Sequence, residues 1–162
     1  MPEFDQAHRI FVSYIDKSRE YYLARGYANP YRWAHHEDAP FANLSKPLSE
    51  SRIGLVTTAA LNKAGAELNG VYAASTDPPP VAMYTDHRSW DKKETHTRDV
   101  DSFLPIRRVS EFAARGRVRS LSTRFYGAPT QFSQRLTIEE HAPAILELCR
   151  ADLVDIVLLV PL

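Results

Sequence analysis

Cysteine is nearly absent from this sequence, because its 162 residues include only Cys149. A single cysteine excludes an intramolecular disulfide framework and favours a reducing compartment. Net charge is absent too, since 20 Lys and Arg residues balance 20 Asp and Glu residues. This balance does not support an extended nucleic-acid or membrane-surface footprint, so we expect neither a nucleic acid nor a membrane as partner.

Targeting segments and nucleotide-binding motifs are missing as well. No apolar run reaches the ~18 residues of a membrane span. The first ten residues contain Glu3, Asp5 and Arg9 instead of the basic and then apolar pattern of a secretory signal. We therefore predict a soluble, cytoplasmic protein. The chain also has no Walker loop, dinucleotide glycine fingerprint, nucleophile elbow or Cys-x-x-Cys pair, and so offers no autonomous redox or nucleophilic centre.

What the chain does contain is an alternation of helical and strand-like patterns. The first are a helix from Phe4 to Arg25 with Gly26 as its stop, and an apolar run from Ile53 to Ala60 that predicts a strand ending at Thr57 and Thr58. The later elements are a short strand at Val81–Tyr84, a helix from Pro105 to Gly116, a strand at Val118–Leu121, a turn-rich loop at Arg124–Thr130, and a helix that begins at a Thr137–Glu140 capping box or, because of Pro143, only near Ala142. The order predicts a single α/β domain over residues 1–162, layered, with a mostly parallel sheet, flanking helices and long aromatic and polar loops.

The last apolar run predicts a fully buried strand. It follows Asp155, is rich in Val, Ile and Leu, and is bounded by Pro161, which is typical of a strand covered on both faces of a parallel sheet. The carboxyl end of such a strand normally leads into a loop that carries chemistry. Because the sequence stops at Leu162, we expect the domain to be truncated at its C-terminal end.

Histidine, carboxylate and hydroxyl side chains form three candidate groups. Two are polar loops whose imidazoles and carboxylates could bind a metal or transfer protons, with solvated surface side chains as the plainer alternative. The third is Thr57-Thr58, which either meets a substrate anion at the strand end or only satisfies the turn. The two loops contain His35, His36, Glu37 and Asp38, and His87, His96, Asp99 and Asp101.

Cys149 is a fourth candidate. It lies near the end of a predicted helix, beside the apolar residues Leu146 and Leu148. This setting predicts a buried, inert thiol in preference to a nucleophile.

Ten short runs, spread over nearly the whole chain, form a pattern that is specific in combination. The runs are Pro30-Tyr31-Arg32-Trp33-Ala34-His35, Asp38-Ala39-Pro40-Phe41, Lys46-Pro47-Leu48-Ser49-Glu50-Ser51-Arg52, Val56-Thr57-Thr58-Ala59, Ser89-Trp90-Asp91, Thr95-His96-Thr97, Asp99-Val100, Phe103-Leu104-Pro105, Gly127-Ala128-Pro129-Thr130 and Asp155-Ile156-Val157-Leu158-Leu159-Val160-Pro161-Leu162. Together they resemble the glycine/sarcosine/betaine reductase selenoprotein B family, in which D-proline reductase is included.

The resemblance implies a reductase in which a selenocysteine or cysteine attacks a substrate carbon and a C–N bond is cleaved, with reducing equivalents from a thiol system. In such relatives the last strand runs into a motif of the type Cys-Pro-Val-Cys-His, which this chain lacks. We therefore expect the redox residue after Leu162 and no cofactor held by this chain. Three explanations stay open: a UGA codon for selenocysteine read as a stop, which we favour, a chain cut short, and a naturally short relative without redox chemistry.

On this reading, the remaining residues shape a pocket for a small amine or amino-acid-like substrate. One alternative is a metal-dependent hydrolase or lyase that uses His35, His36, His87 and His96 with nearby carboxylates. Another is a non-catalytic subunit of a reductase complex, whose partners are other reductase subunits or further copies of this chain. The residues predicted to bind substrate are Trp33, His36, Asp38, Thr57, Thr58, His96 and Asp99.

Overall fold

The sheet is organised around β1 (Arg52–Thr57) in a computed structural model that describes residues 14–27, 34, 37–38, 42–62, 70–84, 97–130 and 133–161. The chain divides into two compact units, Met1–Phe41 and Ala42–Leu162, and the single-domain prediction stays a prediction. In the first unit, α1 spans Tyr14–Ala24. It stops before Gly26, whose φ of 83° is a left-handed conformation that glycine adopts without steric cost. The predicted glycine stop is therefore confirmed, while residues 1–13 lie outside the described part of the chain.

The second unit contains a five-stranded sheet that is mostly parallel. Its other strands are β2 (Tyr72–Ser75), β3 (Ser120–Leu121), β4 (Arg124–Gly127) and β5 (Ile156–Val160). β1 pairs in parallel with β3, β4 and β5, whereas β2 pairs antiparallel with β4. With helices flanking this sheet, the predicted α/β class is confirmed.

β3 and β4 are two halves of one chain segment that runs along β1. Arg52 pairs with Ser120 but Val56 pairs with Tyr126, so the register shifts by two residues at Ser122 and Thr123. The prediction of a loop from Arg124 was wrong for residues 124–127. Phe125 and Tyr126 are fully buried aromatic side chains, and aromatic residues fit the pleated, covered surface of a sheet.

Helices cover both faces of the sheet. On one face, α2 (Ile106–Ala114) buries Ile106 and Val109, and Gly116, with φ of 68°, follows it, as predicted. On the other face, α4 (Ala142–Ala151) buries Cys149 against Val56 and Tyr126, which confirms the burial predicted for this thiol.

The helical region before α4 begins earlier than the predicted capping box. α3 (Gln134–Leu136) is capped by Ser133, whose side chain accepts a hydrogen bond from the Leu136 N–H. A π-helical turn over Thr137–His141 then leads into α4. The helix start at Thr137 was therefore wrong, whereas the alternative start near Ala142 is confirmed by α4. Pro143 cannot donate a backbone hydrogen bond, and the π-helical turn ends two residues before it.

Two strand predictions need correction. β5 is not fully buried, because Leu158 and Leu159 are 41% and 73% exposed and, within the described residues, β5 pairs only with β1. Val81–Tyr84 does not form a strand; Tyr84 instead makes an isolated antiparallel bridge with Ala60. Among the described residues, the structure contains no helix with the length and apolar character needed to cross a membrane.

Candidate functional site

Three parallel strands end side by side at one edge of the sheet. Thr57, the last residue of β1, pairs with Gly127 of β4 on one side and with Val160 of β5 on the other. The Thr57 carbonyl also accepts a hydrogen bond of 3.0 Å from the Ala128 N–H. We call this place, defined by Thr57, Thr58, Gly127, Ala128 and Val160, the carboxyl edge. In open α/β sheets, ligands bind beyond the carboxyl ends of the strands, so this edge is the candidate site.

The two threonines predicted to bind substrate both lie at the carboxyl edge, in different environments. Thr57 is 1% exposed, and its Oγ1 accepts a hydrogen bond of 3.2 Å from the Ala59 N–H. Thr58 is half-buried. The Thr57 hydroxyl therefore stabilises the turn after β1. Thr58 is the one of the two threonines that is partly accessible to solvent.

Tyr72 of β2 joins the ends of β1 and β4. Its hydroxyl donates a short hydrogen bond to the Ala59 carbonyl, and its ring stands edge-on to Phe125 with centroids 6.2 Å apart. A Cβ on Gly127 would lie 2.0 Å from two atoms of this ring, so glycine is required there by close approach. Burial raises the pKa of Tyr72 far above its ordinary value, and the hydroxyl stays protonated as a donor.

The segments that leave the carboxyl edge are uncharged. Residues 57–62 read Thr-Thr-Ala-Ala-Leu-Asn, and residues 127–130 read Gly-Ala-Pro-Thr. The backbone of Ala60 is fixed by two hydrogen bonds with Tyr84, of 2.6 and 2.8 Å. The described part of this edge therefore offers hydroxyls and ordered backbone, and no side-chain charge that would attract a strongly ionic ligand.

Of the other predicted site residues, Asp99 is the one that the structure describes within the second unit, and it lines a different part of that unit. Asp99 accepts a hydrogen bond from the Asp101 N–H at 3.1 Å and lines a separate cavity of about 190 Å³ with Pro79, Pro80 and Arg107. Asp38 is exposed in the first unit. Trp33, His36 and His96 lie outside the described residues, as do His35 and His87 of the alternative metal site.

A polar network at the opposite edge of the sheet was missed by sequence reasoning. The Asp152 carboxylate accepts two hydrogen bonds from Arg124, of 2.9 and 2.8 Å, and one of 2.7 Å from the Tyr126 hydroxyl. Arg52 donates to the Asp152 carbonyl at 2.8 Å. The Arg124 hydrogen bonds hold the pKa of Asp152 below its usual range. The Asp155 carboxylate accepts a hydrogen bond of 2.8 Å from the Arg52 N–H. We call Arg52, Arg124, Tyr126, Asp152 and Asp155 the amino-edge network. The aromatic pair Phe125-Tyr126 was the sequence signal that could have indicated strand β4.

Neither a metal centre nor a reactive thiol emerges from the described residues. Within them, no group of three or more His, Cys, Asp or Glu side chains could hold a metal ion. Cys149 is 5% exposed, and burial raises the pKa of its thiol, so it is protonated and shielded.

Comparison of the chain with protein-family models, with curated proteins and with solved structures finds no match. A functional proposal therefore depends on the sequence resemblance together with the fold and the geometry of the carboxyl edge.

Proposed function

We propose that this chain is a selenoprotein-B-type reductase domain that presents a small amine or amino-acid-like substrate for reductive C–N cleavage. The single observation that supports the proposal is the shared carboxyl edge, where β1, β4 and β5 end in register at Thr57, Gly127 and Val160. In the family that the sequence resembles, the redox residue follows directly after the strand that corresponds to β5. A residue at that place would follow β5 on the same side of the sheet as the ends of β1 and β4.

The part that this chain's own residues play is binding and orientation. The turn after β1 is fixed by Thr57, Tyr72 and Tyr84, so backbone groups there are preorganised. An uncharged edge suits a substrate whose amine and carboxylate neutralise each other. A cysteine or selenocysteine beyond β5 would supply the attacking chalcogen, with electrons from a thiol donor, and we place this reductase in the cytoplasm.

Substrate binding can be tested without the redox residue. Backbone amide chemical shifts would be followed while glycine, sarcosine, betaine or D-proline is added to the chain. We expect one of these compounds to shift the amides of Thr58, Ala59, Gly127, Ala128 and Val160. Shifts confined to other surfaces, or none with any compound, would overturn the proposal.

The redox part of the proposal has its own test in the gene. Translation of the nucleotides after the Leu162 codon should give a UGA or cysteine codon within a frame that continues as Val-Cys-His. A different stop codon with no such frame downstream would contradict it.

A further inference from the structure

Arginine is concentrated in α2 and the turn that follows it. Between residues 107 and 119 the chain carries five arginines, one glutamate and no lysine. Arg108 is paired with Asp101 at 3.4 Å and with Glu111 at 2.9 Å. The remaining arginines are exposed and form no ion pair within the described part of the chain. They are Arg107, Arg115, Arg117 and Arg119.

Two of these arginines line one groove. Its volume is about 950 Å³, and Arg107 lies on the α2 wall while Arg119 lies where the chain enters β3. The α2 wall also contains Ser110, Glu111 and Ala114, which with Arg107 follow the spacing of a single helix face. The opposite wall is the β3–β4 break at residues 120–123 and the end of β2 at residues 75–77. The groove thus lies far along the sheet from the carboxyl edge.

Charge in the groove favours a carboxylate ligand. Glu111 is neutralised by Arg108 through hydrogen bonds of 3.0 and 2.9 Å, so Asp77 is the acidic group that remains in the groove lining. Outside the lining, Asp99 and Asp101 share a second cavity with Arg107, and Asp155, which pairs with Lys46, interacts electrostatically with Arg119. Arg115 and Arg117 add positive charge next to Arg107 and Arg119. The planar guanidinium pairs with carboxylates in a bidentate way.

The choice of arginine as the cationic residue favours a protein as the partner. Arginine is enriched at protein–protein interfaces and lysine is depleted, and all the cations here are arginine. A nucleic acid requires a broad basic surface, whereas this chain has a net charge of zero and a carboxylate, Asp77, within the groove.

We propose that the groove between α2 and the β3–β4 break binds an acidic peptide segment of a partner protein, with Arg107 and Arg119 as the two carboxylate-binding residues. The hydroxyl groups of Ser110, Ser120 and Thr123 lie along the same groove and border the path of the peptide backbone. This surface is independent of the reductase proposal, because it lies at the other end of the strands.

The test uses a fluorescently labelled peptide of alternating Glu and Gly residues and a single-stranded oligonucleotide of similar charge. Fluorescence anisotropy should show that the whole chain binds the peptide more tightly than the oligonucleotide. The double variant Arg107→Glu/Arg119→Glu should raise the peptide Kd about tenfold. The matched control Arg135→Glu/Arg150→Glu changes the net charge equally on exposed residues of α3 and α4 and should leave Kd nearly unchanged.

Mapping on the unaltered chain keeps the proposal testable if the double variant fails to fold. Added peptide should shift the backbone amides of Ser110, Ala114, Ser120 and Thr123. The proposal is overturned by tighter binding of the oligonucleotide, by equal losses in the two double variants, or by the absence of shifts along the groove.

Discussion

At the amino edge of the sheet, charged side chains join the starts of the strands. At the carboxyl edge, hydroxyl groups and backbone groups hold the ends of the strands. Asp152 links Arg124 and Tyr126 to the turn before β5, and Asp155 accepts from the Arg52 N–H at 2.8 Å and pairs with Lys46 at 2.8 Å. At the opposite edge, Thr57, Tyr72 and Tyr84 bond the backbone of residues 59 and 60. The same β1 strand thus has an ionic start and a neutral end.

This difference separates the contacts that align the strands from the row of strand ends that results from the alignment. Charge-assisted hydrogen bonds at the strand starts fix how β1, β4 and β5 are aligned. Their aligned ends then place Thr57, Gly127 and Val160 in one row without using charges there. In the proposed function, this neutral, ordered edge would contribute no side-chain charge to substrate binding.

The largest expected loss of folding stability is at the carboxyl edge, in the variant Gly127→Ala. The new methyl group would collide with the Tyr72 ring, which is held by Ala59 and Phe125. Overpacking of this kind should cost about 3 kcal/mol of the free energy of unfolding, measured by urea denaturation. Gly70→Ala is the matched control, because a Cβ there meets no atom within 4 Å, and it should stay within about 0.5 kcal/mol. Equal urea midpoints for the two variants would contradict the close approach.

A somewhat smaller loss is expected at the amino edge, in Asp152→Ala. The change leaves the Arg124 guanidinium without its acceptor and the Tyr126 hydroxyl with the Ser122 hydroxyl as its remaining partner among the described residues, and we expect a loss of about 2 kcal/mol in the free energy of unfolding. Glu139→Ala serves as control, since it breaks an exposed pair with Arg135 and should cost less than about 0.5 kcal/mol. If both variants unfold at the same urea concentration, the network does not stabilise the fold.

Acid should weaken the amino edge selectively. The pKa of Asp152 is lowered mainly by Arg124, and that of Asp155 mainly by the Arg52 N–H. A carboxylate with a lower pKa in the folded state contributes stability above its unfolded pKa, which is about 4, and loses it as pH falls through the folded value. Urea midpoints at pH 6, 4 and 3 should therefore fall more steeply for the unaltered chain than for Asp152→Ala. Parallel falls would show that Asp152 does not cause the acid sensitivity.

Local sequence signals predicted the elements that begin or end at distinctive residues. The β-branched run before Thr57 gave β1, and Pro105 with Gly116 bounded α2, because φ restrictions act within a few residues. β4 was missed because its four residues directly precede the turn-forming Gly127-Ala128-Pro129, and the turn signal was extended over them. The exposure of Leu159 depends on which strands neighbour β5, and a single run of apolar residues does not specify its neighbours.

Of the carboxyl edge, only the end of β1 could be predicted from the sequence. That Thr57 and Thr58 close a strand follows from their sequence, but their alignment with Gly127 and Val160 is a register across about 70 and 103 residues of chain, which no local pattern encodes. The amino-edge network has the same origin, since Arg52 and Asp152 are 100 residues apart. Asp99 was grouped with the threonines by chemistry, and the fold places it at another cavity.

The smallest effect, in Tyr72→Phe, tests whether the two edges open independently. Loss of the hydroxyl removes one hydrogen bond to the Ala59 carbonyl, a change of about 1 kcal/mol, so hydrogen exchange of the neighbouring Ala60 amide should rise about fivefold. The Asp155 amide, which donates to the Arg52 carbonyl at the other edge, should exchange at its original rate. Tyr84→Phe is the control, because Tyr84 bonds Ala60 through its backbone. An equal rise in the exchange rates of the Ala60 and Asp155 amides would mean that the ends and the starts of the strands open together. The order of the carboxyl edge would then depend on the amino-edge network.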